Sequence, residues 1–398
     1  VAVILPAGTA AGSYYLLAQA DGASTVRETS ETNNTRVSAA IKVGPDLVVT
    51  VLTAPASATP GSTIGITDTT KNQGAGPSPS SSTGFYLSAD LSIGTTDLFL
   101  GSRDIGELAA GDSASGTVWL PIPADVEPGS YRVLARADWN NGVAESAETN
   151  NDKASGAVKI GGDLVLTSLS VSPTAAAGGP ITVSDTTANQ GTAVVGQSAT
   201  GFYLSLDYAY DPATDTLLGT RPVASLQPSA ASTASTPFVV PAGLAAGTYN
   251  VIAVADWGAV VPESVETNNT RSGVSVRIGP DLVMASVSGP SSAVAGTSIA
   301  AGDTTTNQGG EAAPASATSY YLSVNTVLDA GDLLLGSRAV ASIGAGASNA
   351  GAVTLVIPAS MTPGTYYIIA KADGGSAIAE ASETNNTRAR AISIASAP

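Results

Sequence analysis

The tetrad Glu-Thr-Asn-Asn stands four times in the chain, at Glu31–Asn34, Glu148–Asn151, Glu266–Asn269 and Glu383–Asn386, with successive spacings of 117, 118 and 117 residues. Asp-Leu-Val keeps the same beat, beginning at Asp46, Asp163 and Asp281. A period of this length makes each copy the size of one small domain, and it decides the architecture before any single residue is interpreted. Three complete copies run over 45–161, 162–279 and 280–398, while residues 1–44 match only the second half of a copy.

Inside a copy, short β-rich segments alternate with turn signals, the pattern of an all-β sandwich. Strands are expected near Leu47–Thr53, Thr63–Thr70, Thr83–Ser88, Phe99–Ile105, Ser115–Ile122, Tyr131–Ala137 and Ala154–Ile160. Tyr131, Val133, Ala135 and Ala137 alternate with Arg132, Leu134 and Arg136, as in a strand with one face on a core. Asn72-Gln73-Gly74 and its counterparts at Asn189 and Asn307 read as tight turns in which Gly supplies a positive φ. Tyr131 and Tyr366 each follow a Pro-Gly turn, and either bond back across the corner or only pack. The connectors Gly44-Pro45, Gly161-Gly162 and Gly279-Pro280 are about two residues long. An extended rod of seven-stranded, immunoglobulin-like sandwiches of about 117 residues is therefore expected.

Each copy resembles the cell adhesion related domain found in bacteria, CARDB. The second copy carries the motif order as Asp163–Val165, Asn189–Gly191, Phe202–Ser205, Leu218–Arg221, Gly247–Tyr249 and Val261–Asn269. The resemblance implies a sandwich used as a repeating stalk or adhesive module in large exported bacterial proteins. Its implied partners are further copies of itself along or across a fibre, or a host or surface ligand. One strand departs from the expected apolar alternation, carrying Asp68-Thr69-Thr70, Asp185-Thr186-Thr187 and Asp303-Thr304-Thr305, which suggests an exposed edge or a lateral contact.

Composition narrows the chemistry. His and Cys are both absent, so the Ser-His-Asp and Cys-His nucleophile systems, disulfides and the usual zinc ligands are excluded. Acidic residues number 32 against 16 basic ones, for a net charge of −16, which argues against nucleic-acid binding. No apolar run approaches the roughly 20 residues of a membrane-spanning helix. Residues 1 to 8 show neither a basic start nor a cleavage site.

One acidic constellation recurs in every copy: Asp138, Glu145 and Glu148 with Asn150 and Asn151; Asp256, Glu263 and Glu266; Asp373, Glu380 and Glu383; and, in the half copy, Asp21, Glu28 and Glu31. Calcium takes six to eight oxygens from such groups, so these twelve carboxylates are candidate ligands for Ca2+. The alternative is that they satisfy turn backbone groups. A second acidic loop holds Asp90 and Asp97, then Asp207, Asp211 and Asp215, then Asn325, Asp329 and Asp332, with Arg103, Arg221 and Arg338 nearby as pairing partners. Paired carboxylates also raise glycoside hydrolysis, but a catalytic centre is usually unique and these pairs recur, so no catalytic residue is assigned. Asn33, Asn268 and Asn385 open glycosylation sequons, but Asp152 breaks the sequon in the first complete copy, so the asparagines are read as serving the turn. Trp139 and Trp257, replaced by Gly22 and Gly374 elsewhere, suggest packing at a module junction or a ligand platform.

The expectation is a structural or adhesive stalk of a secreted or surface-attached bacterial protein. Its alternatives are a spacer array for an extracellular enzyme and a carbohydrate-binding module. Residues 1–44 supply strands near Val1–Leu5, Tyr14–Ala20 and Val37–Val43, half of a sandwich with open edges. This predicts either a window from a longer array or completion by strand addition from another molecule.

Overall fold

The computed structural model describes residues 2–396; Val1, Ala397 and Pro398 lie outside the described residues. In the first complete copy the elements are β5 (Leu47–Thr53), β6 (Ser57–Ala58), β7 (Thr63–Asn72), β8 (Ser81–Ser88), β9 (Leu98–Ile105), β10 (Ser113–Pro121), β11 (Gly129–Arg136) and β12 (Asp152–Ile160). They form a three-stranded sheet in the order β10-β7-β5 and a five-stranded sheet in the order β6-β12-β11-β8-β9. All pairings are antiparallel except β6 on β12. The same eight elements and sheet orders recur over residues 164–278 and 282–395.

The seven expected strands are present, and β6 is an eighth that sequence reading missed. Only two residues long, it has too little pattern to be seen. It is held because Lys159 N–H donates to the Ala56 carbonyl (2.9 Å) beside the parallel pairs Lys159 with Ser57 and Ile160 with Ala58.

Alternation builds the core. Along β7, Ile64 and Ile66 point inward while Thr63, Thr67 and Thr69 face out. Phe85 and Leu87 of β8, Val133 and Ala135 of β11, and Val158 and Ile160 of β12 meet them from the opposite sheet. Burying a side chain of this size contributes about 1.5–3 kcal/mol. Tyr131, Tyr249 and Tyr366 each donate a hydroxyl hydrogen bond to the carbonyl four residues upstream, at 2.9–3.1 Å, so the corner tyrosines do bond back.

The polar strand overturns its expectation. β7 is the central strand of its sheet, paired on both sides, and the same alternation that buries Ile64 and Ile66 carries Asp68 and Thr70 into the core. A carboxylate there needs a partner, and Arg103 of β9 reaches across from the other sheet with two parallel bonds of 2.6 Å. Arg221 with Asp185 and Arg338 with Asp303 repeat the bridge. The arginines therefore do not serve the second acidic loop. Its carboxylates accept from nearby backbone amides instead: Asp90 from Ser92, Asp97 from Gly94, Asp211 from Ala213 and Asp329 from Gly331. In the third copy burial pushes the Asp303 carboxyl up, but hydrogen bonds from Arg338 and Tyr320 outweigh it and hold Asp303 below the usual carboxylate range.

The turn glycines also need a different reason. Gly74, Gly191 and Gly309 are not at positive φ. A Cβ on Gly74 would run into the backbone of Gly44, Pro45 and Asp46, and Gly191 and Gly309 face the next two connectors the same way. Their lack of a side chain lets each turn lie against the linker.

Residues 2–43 form two short ribbons: β1 (Gly12–Tyr14) on β4 (Ile41–Val43), and β2 (Leu17–Gln19) on β3 (Thr35–Val37). Ala2–Leu5 are not strand, contrary to expectation. Their counterparts at the end of β10 pair with β7, for which residues 2–43 contain no equivalent.

Candidate functional site

The acidic constellation lies at the end of each sandwich where the chain enters. The loop after β11 opens at Asp138, whose φ is +46°; Asp21, Asp256 and Asp373 share this left-handed conformation. Aspartate tolerates it because its short carboxylate can bond the backbone just ahead. Asp138 accepts from the amides of Gly142 (3.1 Å) and Val143 (2.7 Å). Asp256 accepts from Val261, Asp373 from Ile378, and Asp21 from Thr25 and Val26, at 2.8–2.9 Å.

Two residues before the paired asparagines, Glu148 accepts the amide of Glu145 at 2.8 Å. Glu266, Glu383 and Glu31 accept from Glu263, Glu380 and Glu28 in the same way.

Glu145 does something else. Its carboxylate accepts the amide of Leu47, the first residue of β5, and the side-chain amide of Asn151 at 3.0 Å. Glu263 takes the amide of Leu164 and Glu380 that of Leu282. Beside it, Asn150 donates to Asp46 at 2.8 Å, as Asn268 does to Asp163 and Asn385 to Asp281. Asn72 completes the arrangement: its carbonyl oxygen accepts the amides of Asp46 and Gly74, and its amino group donates to the carbonyls of Gly76 and Leu108. The first strand of each copy is thus clasped to its last loop across about a hundred residues of chain.

The Asp-Leu-Val aspartates therefore belong to the site, although sequence reading kept them apart from it. The signal was available in the equal beat of the two motifs.

Burial raises the carboxyls of Glu145, Glu263 and Glu380 to about 7; the Leu47, Leu164 and Leu282 amides oppose the shift, and the neighbouring Glu148, Glu266 and Glu383 add to it. Asp46 behaves oppositely. Burial pushes it up, but hydrogen bonds from Lys42 and Asn150 prevail and hold it below the usual range. Backbone hydrogen bonds from Val26 and Thr25 likewise lower Asp21.

The twelve candidate calcium ligands divide between these duties. Asp21, Asp138, Asp256 and Asp373 close turns, Glu31, Glu148, Glu266 and Glu383 hold the next amide, and Glu145, Glu263 and Glu380 grip the first strand. Glu28, lacking a first strand to grip, is exposed. Among the described residues no group of three or more His, Cys, Asp or Glu side chains is gathered to hold an ion.

The junctions carry contacts of their own. Lys42 pairs with the buried Asp46 at 2.7 Å and Arg277 with Asp281 at 2.6 Å, each linking the last strand of one unit to the start of the next. Thr59 donates to the Thr192 carbonyl at 3.1 Å, and Thr192 returns a bond to Ala58. Thr248 donates to the Ala381 carbonyl at 3.2 Å at the next junction.

The tryptophans do not pack between modules. Trp139 lies on the five-stranded sheet over Gly84 and stacks on Phe99 with ring centroids 4.8 Å apart, and Trp257 lies over Gly201. In the third copy the pair is reversed: Gly374 faces Ser319, where a Cβ on residue 374 would collide.

The CARDB family model matches residues 44–155, 161–273 and 279–390. The chain belongs to the CARDB family. CARDB is an adhesion-related domain family, not an enzyme family, and its three tandem matches coincide with the three sandwiches seen here. No curated protein matches the chain. Among solved structures, a CARDB domain from Pyrococcus furiosus in complex with di-metal ions is 21% identical, covers 29% of this chain and 89% of its own, and has a TM-score of 0.24. The tetra-tandem repeat in the extending region of a large adhesion protein is 15% identical, covers 98% of this chain and 84% of its own, with a TM-score of 0.26. Red sea bream transglutaminase is 12% identical over 60% of this chain and 31% of its own, with a TM-score of 0.33. Among the described residues no helix is long and apolar enough to cross a membrane.

Proposed function

We propose that this CARDB array is a stiff, non-catalytic spacer of an extracellular or cell-surface bacterial adhesion protein, in which each sandwich fixes the direction of the next. The observation that carries the reading is the junction. A two-residue connector lies against a side-chain-free turn glycine, leads into an aspartate whose amide is held by Asn72 at the end of β7 or by its equivalents, and is flanked by hydrogen bonds between successive copies. Chain that is bonded on both sides of so short a connector has little freedom to bend. A rigid array carries a terminal function away from a surface, and further copies in series would lengthen it without new chemistry.

Small-angle scattering of the chain, together with a variant carrying a six-residue Gly-Ser insertion between Gly161 and Gly162, tests this. The parent should scatter as an elongated particle with one dominant maximum dimension. The insertion should broaden its distance distribution and shorten its mean dimension. Equal, broad distributions for both chains would refute a stiff junction.

A further inference from the structure

Almost every feature of this chain is present in triplicate; one conspicuous feature is not. Trp119 is 69% exposed on the outer face of the three-stranded sheet, the most exposed of the three tryptophans. Its ring lies flat over Gly65, its cross-strand partner, where a Cβ would meet three ring atoms at 3.2–3.4 Å. Glycine on one side leaves the other ring face to solvent. The equivalent cross-strand pairs are Pro237 with Thr182 and Thr354 with Ala300, so the aromatic plate exists in the first complete copy alone.

Trp119 walls an open cleft of about 550 Å³ that runs to the junction with the next copy, a size within the range of small-ligand sites, roughly 300–1,000 Å³. The cleft is lined by the hydroxyl residues Ser57, Thr59, Ser62, Thr63 and, from the second copy, Thr192, and by no charged side chain. In a chain of net charge −16 an uncharged cleft is a selective feature: it offers no ion pair to a charged ligand, and the surrounding field repels anions. Thr59 and Thr192 spend their hydroxyl protons on the junction, whereas Ser62 only accepts, from the Thr59 amide, and keeps its own proton to donate.

We propose that this cleft binds a neutral polysaccharide, one sugar ring stacking on Trp119 and its hydroxyls bonding the serine and threonine rim. The electron-rich indole face attracts the weakly positive axial C–H groups on the flat side of a pyranose, while the rim supplies neutral donors and acceptors for its edge. The site rests on the spacer reading only for where the glycan is met, because binding is measured on the chain in solution.

The test is titration of the full chain with soluble β-glucan, α-glucan and galactomannan, and with hyaluronan as an anionic polymer, read by calorimetry and tryptophan fluorescence. At least one neutral polymer should bind. Trp119→Ala should weaken that binding at least tenfold with the melting temperature unchanged, and Trp119→Phe should lose no more than about threefold. Absence of binding to every neutral polymer, preference for hyaluronan, or equal binding by Trp119→Ala would overturn the proposal. Capture of a protein partner through Trp119 without any glycan would overturn it too. None of these results bears on the stiffness seen by scattering, so the two readings fail separately.

Discussion

Residues 12–43 and residues 129–160 share a sequence pattern and a hydrogen-bond register but differ in what covers them. Gly12 pairs with Val43 as Gly129 pairs with Ile160, and Gln19 with Thr35 as Arg136 with Asp152. Ser38 bonds the Leu16 amide at the break between β1 and β2, where Ser155 bonds the Val133 amide at the bulge in β11. The Asp21 turn and the Glu28 amide bond to Glu31 match those at Asp138 and Glu145. Burial does not match. Val133, Ala135 and Ala137 are fully buried, whereas their counterparts Leu16, Ala18 and Ala20 are exposed. The hairpin and its loop are thus encoded locally, and the core and the glutamate grip come from β5, β7 and β10, which residues 2–43 lack.

The largest effect that would sharpen this contrast comes from the bridge between the sheets. Arg103→Ala leaves Asp68 buried and unpaired, and should destabilise the first complete copy by about 3–5 kcal/mol. Denaturant unfolding should show one of the three copies unfolding early. Retention of a single unshifted transition would mean that the bridge is not essential.

A smaller effect follows from the gripping glutamates. Burial holds Glu145, Glu263 and Glu380 at about 7 against an ordinary 4.5, so the folded chain keeps protons that the unfolded chain releases. Their contribution is complete below about pH 4.5 and is lost as the pH rises to about 7, costing roughly 1–3 kcal/mol per copy once water access is discounted. Asp46 and Asp303, held below 3.8, act oppositely, with stability lost as the pH falls through their lowered values. Melting temperature should therefore peak in mildly acidic solution, and Glu145→Gln should flatten the slope between pH 5 and 7 for one copy. A slope unchanged by Glu145→Gln, Glu263→Gln and Glu380→Gln together would assign the pH dependence elsewhere.

The smallest effect is expected from chelation. Carboxylates already committed to backbone amides offer an ion little, so EDTA should shift stability by less than about 0.5 kcal/mol at neutral pH, within the range of an ordinary surface change. A clear fall in melting temperature that calcium restores would bring the twelve carboxylates back as ligands.

The strands were legible because turns and alternation are local. Asp68 lies inside despite its polarity, because the alternation set by Ile64 and Ile66, four and two residues earlier, points its side chain inward. Arg103 could not be matched to Asp68 without knowing which strands face each other across the core. The Glu145 grip on Leu47 joins residues 98 positions apart and involves a backbone amide, which leaves no mark on the residue type at position 47. Gly74 was read as a turn residue, and its reason lies in the approach of a connector thirty residues away. Tertiary contacts of this kind appear in a single sequence only as equal spacing, which shows that a partner exists without saying which one.

Hydrogen exchange on a completed half copy tests most directly whether the first-half strands make the core. Residues 45–117 would be repeated immediately before Val1, with the intact chain as reference. In the intact chain, amides of Leu16–Ala20 and Ile41–Val43 should exchange orders of magnitude faster than those of Val133–Ala137 and Val158–Ile160. In the extended chain the two sets should become equally protected, with Glu28 gripping the new Leu47 equivalent. Fast exchange persisting at Leu16–Ala20 after the addition would contradict the view that one covalent half buries the other.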